Sequence, residues 1–172
     1  MRAGTLLRLV PAMATAAWLL ACSPALNWRE VSLGGAAVML PCKPDQAQRT
    51  VSMGGRDVLL SMAGCEAAGA LFAVGHVRAD TAAQAAALLA DWRAASLQSM
   101  GVTTATTLPA PAGGGRAPTL LLAAQGRRPD GSAVQAQLAW WVVGDAVFQI
   151  AVYADRLKPD MTETLLTEPR RP

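Results

Sequence analysis

Histidine is almost missing from this sequence of 172 residues: His76 is the only one. Its scarcity argues against the usual zinc chemistries, which gather several imidazoles and thiolates at short spacing. The cysteines number three, Cys22, Cys42 and Cys65, with no Cys-x-x-Cys among them. Gly-x-Ser-x-Gly, His-Glu-x-x-His and the dinucleotide fingerprint are all absent, which leaves no recognisable nucleophile elbow, zinc protease or cofactor fold. The glycine run 113–115 is not followed by the Lys-Ser/Thr of a phosphate loop. The acids occur singly, so no general acid/base couple stands out. From these absences no enzyme activity, metal or cofactor is expected.

Charge of one sign is also lacking. The formal net charge of +3 includes Arg2 and Arg8, and without them 13 basic residues face 12 acidic ones. The cations are scattered. Only Arg127–Arg128 and Arg170–Arg171 are adjacent, in turn-like or terminal contexts where a solvated surface is the simplest reading. A nucleic-acid partner is therefore not expected.

Nor is there an apolar run long enough to cross a bilayer, which takes about 20 residues. Between Arg8 and Cys22 lie 13 uncharged residues, "LVPAMATAAWLLA". A cationic start, a short apolar core and small residues near its end form a secretory signal. Leu19, Leu20 and Ala21 before Cys22 resemble the lipobox of bacterial lipoproteins. That resemblance implies acylation of Cys22, cleavage just before it and anchoring by lipid in the cell envelope, where Ser23 points to the outer membrane facing the periplasm. An ordinary signal peptide cut after Ala25 and an uncleaved amino-terminal anchor are the alternatives. The expected division is a signal peptide at 1–21, an anchor and short tether at 22–27, one domain at 28–170 and a tail at 171–172.

If Cys22 carries lipid, Cys42 and Cys65 remain as an even pair in an exported chain, and a disulfide is the default expectation. "NWREVSLGGAAVMLP" reads as two strands about Gly34–Gly35, and "RTVSMGGRDVLLSMAGC" repeats the device at Gly54–Gly55. A two-residue turn sets Met53 opposite Arg56 and places position 44 opposite Cys65, with Cys42 a diagonal neighbour. Gly69–Val77 is the next strand. The spacing then predicts a long helix: Thr81 and Gln84 make a capping box, and Leu88, Leu89, Trp92, Ser96 and Met100 share one stripe. "VTTATTL", Thr119–Gly126 and a strong hairpin about Gly144–Asp145 supply more strands. That last hairpin puts Trp141 opposite Phe148 and Trp140 opposite Gln149, and is apolar on both faces. "KPDMTETLLTEP" opens with a proline suited to a first helical turn.

The expected fold class is thus α+β, a twisted antiparallel β-sheet covered by helices, with one long central helix and a short C-terminal one. The order of elements resembles the PsbP/Mog-type fold, an α/β/α sandwich, as do "LPCKPD" at Leu40–Asp45, the alanine-rich helix, "RPDGS" before a strand meander and "ETLLTEPRRP" at the end. That resemblance, which extends to lipoproteins of proteobacteria, implies a non-catalytic domain that binds or stabilises protein partners. No binding residues carry over. The expected function is protein interaction or envelope maintenance by a lipoprotein with an envelope protein partner. The alternative is a small-ligand-binding periplasmic lipoprotein with a pocket between the sheet and the long helix. His76 is expected to be structural. Core packing is the main expectation for the tandem pair Trp140 and Trp141, and one of the two is the best candidate for a partner groove, since adjacent strand residues face opposite sides.

Overall fold

A computed structural model describes residues 25–102, 104–109 and 118–163. The expected signal peptide, Cys22, the core of the glycine-rich loop at 110–117 and the C-terminal stretch from residue 164 lie outside the described residues.

Nine strands and two helices are described: β1 (Arg29–Leu33), β2 (Ala36–Leu40), β3 (Asp45–Met53), β4 (Arg56–Ala67), β5 (Ala70–Arg78), α1 (Ala82–Ser99), β6 (Thr104–Thr107), β7 (Leu120–Arg127), β8 (Ala133–Val143), β9 (Ala146–Ala154) and α2 (Pro159–Thr162). β1 and β2 form a separate two-stranded ribbon, and the other seven strands form one antiparallel sheet in the order β3-β4-β5-β9-β8-β7-β6. The chain is therefore a mostly antiparallel sheet with helices packed on it.

The glycine turns set the registers as their length dictates. Met53 pairs with Arg56 and Val51 with Val58 across β3–β4. Trp141 pairs with Phe148 and Trp140 with Gln149 across β8–β9. Gly54 and Gly55 both hold positive φ, 57° and 76°, as a tight hairpin whose twist matches its strands requires. β3–β4 stops at Asp45–Gly64, and just beyond it Cys42 and Cys65 are joined, with S–S 2.03 Å and Cα–Cα 5.9 Å.

The central strands of the sheet are buried on both faces, while the edge strands β3 and β6 are mostly exposed. Helix α1 covers one face. Thr81 Oγ1 accepts from the Gln84 N–H at 3.3 Å, and Ala85, Leu88, Leu89 and Trp92 are the helix's buried residues. They pack with Leu60, Val77, Leu138, Trp140 and Val147 in one core cluster. Gly75 makes room for Trp92: a Cβ there would lie 2.7 Å from the indole ring. At the other end of the helix Gly126 does the same, since a Cβ would press on the Met100 carbonyl. That carbonyl instead accepts from the Arg127 N–H at 2.7 Å.

The opposite face departs from the expected sandwich of helices. It is covered chiefly by the β1–β2 ribbon, whose Val31, Leu33, Val38 and Leu40 pack with Phe72, Val74, Trp141, Ile150 and Val152, while α2 adds Met161. Alternation in the ribbon buries one apolar face, while on the other Glu30 and Ser32 are exposed and Ala37 and Met39 half-buried, which suits a ribbon laid flat on a larger sheet. Trp28, one residue ahead of β1, meets the Phe72 ring edge-on at 6.2 Å.

Candidate functional site

The residues singled out for a partner groove do not provide one. Trp140 and Trp141 are both 0% exposed. They point to opposite faces as adjacent strand residues must, but each face is covered, so both belong to the core. Covering the β8–β9 hairpin on both sides removes the groove.

His76 does not open a catalytic site either. It is 8% exposed and lies against the Phe148 ring, centroids 4.8 Å apart. A Cβ on Gly34 would collide with its imidazole, so the β1–β2 turn closes directly over it. Asp91 belongs to α1, on the other face of the sheet, where it pairs with Arg56 at 3.7 Å. Asp80 is exposed. His76, Asp80 and Asp91 thus share no cleft. Among the described residues no three of His, Cys, Asp and Glu stand close enough to hold a metal ion. Nor is any described helix long and apolar enough to cross a membrane.

What the structure does show is an open cleft of about 760 Å³ at one corner of the sheet, on the α1 face. It forms because α1 crosses the sheet obliquely. Trp92 sits over Gly75 on β5, and Met100 ends over Gly126 on β7. The corner where β4, β5 and β9 end is left beside the helix terminus with no described residue on top.

The cleft floor follows a single cross-strand row. Glu66 on β4 pairs with Leu71 on β5, Leu71 with Tyr153 on β9, and Tyr153 with Ala136 on β8. Leu71 is 41% exposed, which is unusual for so large an apolar side chain in this molecule. Val134 and Met100 close the floor toward the helix end, and the Ala67–Ala70 turn forms one wall. Burial pushes the Tyr153 phenol above its ordinary range, so the hydroxyl keeps its proton at neutral pH and stays able to donate.

Charged residues border that floor on two sides, and the positive charge of Arg128 is offset by its ion pair with Asp155. Glu66 lines it from β4, and Arg127 and Arg128 line it from the end of β7. The arginines are braced by the "RPDGS" turn. Arg127 Nη1 donates to Gly131 O at 2.9 Å. Arg128 Nη1 donates to Ala133 O at 2.8 Å and Ser132 Oγ at 3.2 Å, and Arg128 Nη2 meets Asp155 at 2.7 Å. Within the turn, the Ser132 N–H and hydroxyl both donate to Asp130 and hold its carboxyl below the usual range.

Sequence reasoning missed these residues. Arg127–Arg128 was visible as a pair and reads, taken alone, as solvated surface. Leu71 beside Phe72 was the available signal, because two large apolar neighbours in a strand must face opposite sides. No family model matches the chain, and no curated protein matches it significantly.

Proposed function

We propose that this protein is a lipid-anchored, non-catalytic domain of the bacterial cell envelope, facing the periplasm, and that it works by binding at the corner cleft. The observation that carries this reading is the cleft itself. Among the described residues the central strands are covered on both faces, whereas here about 760 Å³ stays open above an apolar floor with a few polar groups at its edge. Ligand sites have that size and that mixture. The single histidine is under the ribbon, away from the cleft, which favours binding over turnover. The antiparallel sheet with one helix across a face supports the PsbP/Mog-type resemblance, in which binding rather than catalysis is the rule, on that face only, since a ribbon chiefly covers the other.

The anchor rests on Leu19, Leu20, Ala21 and Cys22. Two or more acyl chains would give stable attachment. The Cys42–Cys65 disulfide fits the oxidising side of the membrane. Growth with a clickable fatty acid should label the wild-type chain and leave Cys22→Ala unlabelled; equal labelling of both removes the anchor from the reading. Binding at the cleft is tested by perturbation of the ring resonances of Tyr153, the chain's single tyrosine, when cells' periplasmic small-molecule extract is added to the purified protein in mild detergent.

A further inference from the structure

We propose that two copies of this chain pair edge to edge through β3, antiparallel about a two-fold axis at Ala47, so that their sheets become continuous. This interface goes beyond binding at the corner cleft and does not depend on it.

The edge is open. β3 is an outermost strand of the seven-stranded sheet. Its two-residue turn makes Met53 and Arg56 the closing hydrogen-bonded pair of the hairpin. Bonding alternates from there. Val51, Arg49, Ala47 and Asp45 spend their N–H and C=O groups on β4, while Ser52, Thr50, Gln48 and Gln46 turn theirs outward. Among the described residues no strand lies beside them. Native edges are ordinarily blunted by shortness, proline, lysine or a bulge. β6, at the other edge, is only four residues long. β3 is nine residues long, holds neither proline nor lysine, and runs along β4 in unbroken register. Residues 45–50 are all exposed.

Charge selects the partner and the register. Asp45 and Arg49 are the charged residues of β3. They share a face of the strand, about 13 Å apart along it, and neither is held in an ion pair among the described residues. Pairing about Ala47 sets Asp45 opposite the partner subunit's Arg49, and Arg49 opposite the partner subunit's Asp45. Gln46 then faces the partner subunit's Gln48. Both have outward backbone groups, so each such pair exchanges two hydrogen bonds. An axis at Gln48 would instead set Asp45 against the partner's Val51 and lose both ion pairs. An axis at Arg49 would set two guanidinium groups face to face. Opposite charges directly across strands are favourable and like charges are not. The edge is thus complementary to itself, as a two-fold interface requires.

The symmetry also suits a membrane. The axis of such a pair stands perpendicular to the sheet, so both copies turn their ribbon faces the same way. Leu26 and Trp28 pack on that face, and Cys22 lies just ahead of them. Two chains anchored in one bilayer can therefore pair without either turning over. This symmetry bears on the anchored chain proposed above; the open edge and its charges stand without it. One pair of strands is a small interface, and sharing a membrane raises the effective concentration at which it forms.

The test uses the full chain in intact cells. Ala47→Cys places two thiols across the axis at a non-hydrogen-bonded position, where Cα atoms stand about 4.5 Å apart, within disulfide range. Mild oxidation should give a covalent dimer. Thr50→Cys, exposed on the same strand, should not, because its counterpart would lie roughly 20 Å away. Mass analysis of the Cys42–Cys65 bridge and unchanged thermal unfolding check that each variant is folded. In the Ala47→Cys chain, Asp45→Arg or Arg49→Asp alone should slow cross-linking about tenfold or more, and the two together should restore it. Fatty-acid labelling of the same cells reports the anchor separately. Equal cross-linking at positions 47 and 50 would reveal mere crowding and overturn the pairing. A folded Ala47→Cys chain that yields no dimer, or that links to a different protein instead, would overturn a second copy as the occupant. Failure of the double charge reversal to restore cross-linking would overturn the register.

Discussion

Ala68 carries a local cost that the other hairpin turns avoid. Its φ of 52° is the one positive value outside glycine among the described residues. The β1–β2 and β3–β4 turns use glycine at the same place, at 59° and 57°. A Cβ in the left-handed region costs about 1–2 kcal/mol, offset in part by the freedom a glycine adds to the unfolded chain. Ala68→Gly should therefore raise stability by about 0.5–1 kcal/mol, read as a higher denaturation midpoint with unchanged slope. Because Ala68 borders the cleft, the same variant shows whether its methyl group contributes to the site. Tyr153 offers a second test at this scale. Its phenol is raised by burial from the ordinary value of 10.0, so the folded state holds the proton more tightly than the unfolded one. That contribution is fully present below about pH 10 and is lost as pH rises through the folded value. Tyrosinate absorbance of the single tyrosine should appear above the ordinary range, and Tyr153→Phe should flatten the loss of stability that accompanies it.

At the scale of elements, the position of α1 depends on missing side chains beneath it. Gly75→Ala would place a Cβ 2.7 Å from Trp92. Shifting the indole should cost about 1–3 kcal/mol as overpacking, with a change in tryptophan fluorescence, and Trp92→Leu in the same chain should recover part of it. Strands, turns and register were legible in the sequence because each rests on local chemistry: a two-residue glycine turn at 54–55 permits one pairing, and Thr81 with Gln84 marks one helix start. The ribbon over the second face was not legible, since nothing local in "REVSL" or "AAVML" says which larger surface its apolar face will meet. The cleft was hidden for the same reason. It exists because Met100 ends over Gly126, a contact between elements far apart in sequence. Trp140 and Trp141 show the limit from the other side. Their opposite orientations follow from strand geometry, but whether either was exposed depended on what lay above each face.

For the molecule as a whole, one covalent link joins the ribbon to the sheet. Cys42 follows β2 and Cys65 is on β4, separated by 23 residues. Closing a loop of that length contributes about 3–4 kcal/mol in the chain-entropy view, a large share of the ordinary 5–15 kcal/mol of a domain. Reduction, or the pair Cys42→Ala and Cys65→Ala, should lower the unfolding midpoint by that order. The loss should be felt on the ribbon face before the α1 face, measured as faster amide exchange in β1 and β2 than in β8 and β9.

The packing of the first described residues has a consequence for how the molecule stands at a surface. Leu26 and Trp28 already rest on the core, on the ribbon face. Cys22 precedes Leu26 by only four residues, a reach of at most about 14 Å when fully extended. An acyl chain at Cys22 would therefore hold the domain close against the bilayer with its ribbon side downward. The opposite side, with α1 and the corner cleft, would look out into the aqueous space. Whatever enters the cleft would then arrive by diffusion through water and not along the lipid, and soluble molecules would have the advantage over those dissolved in the membrane.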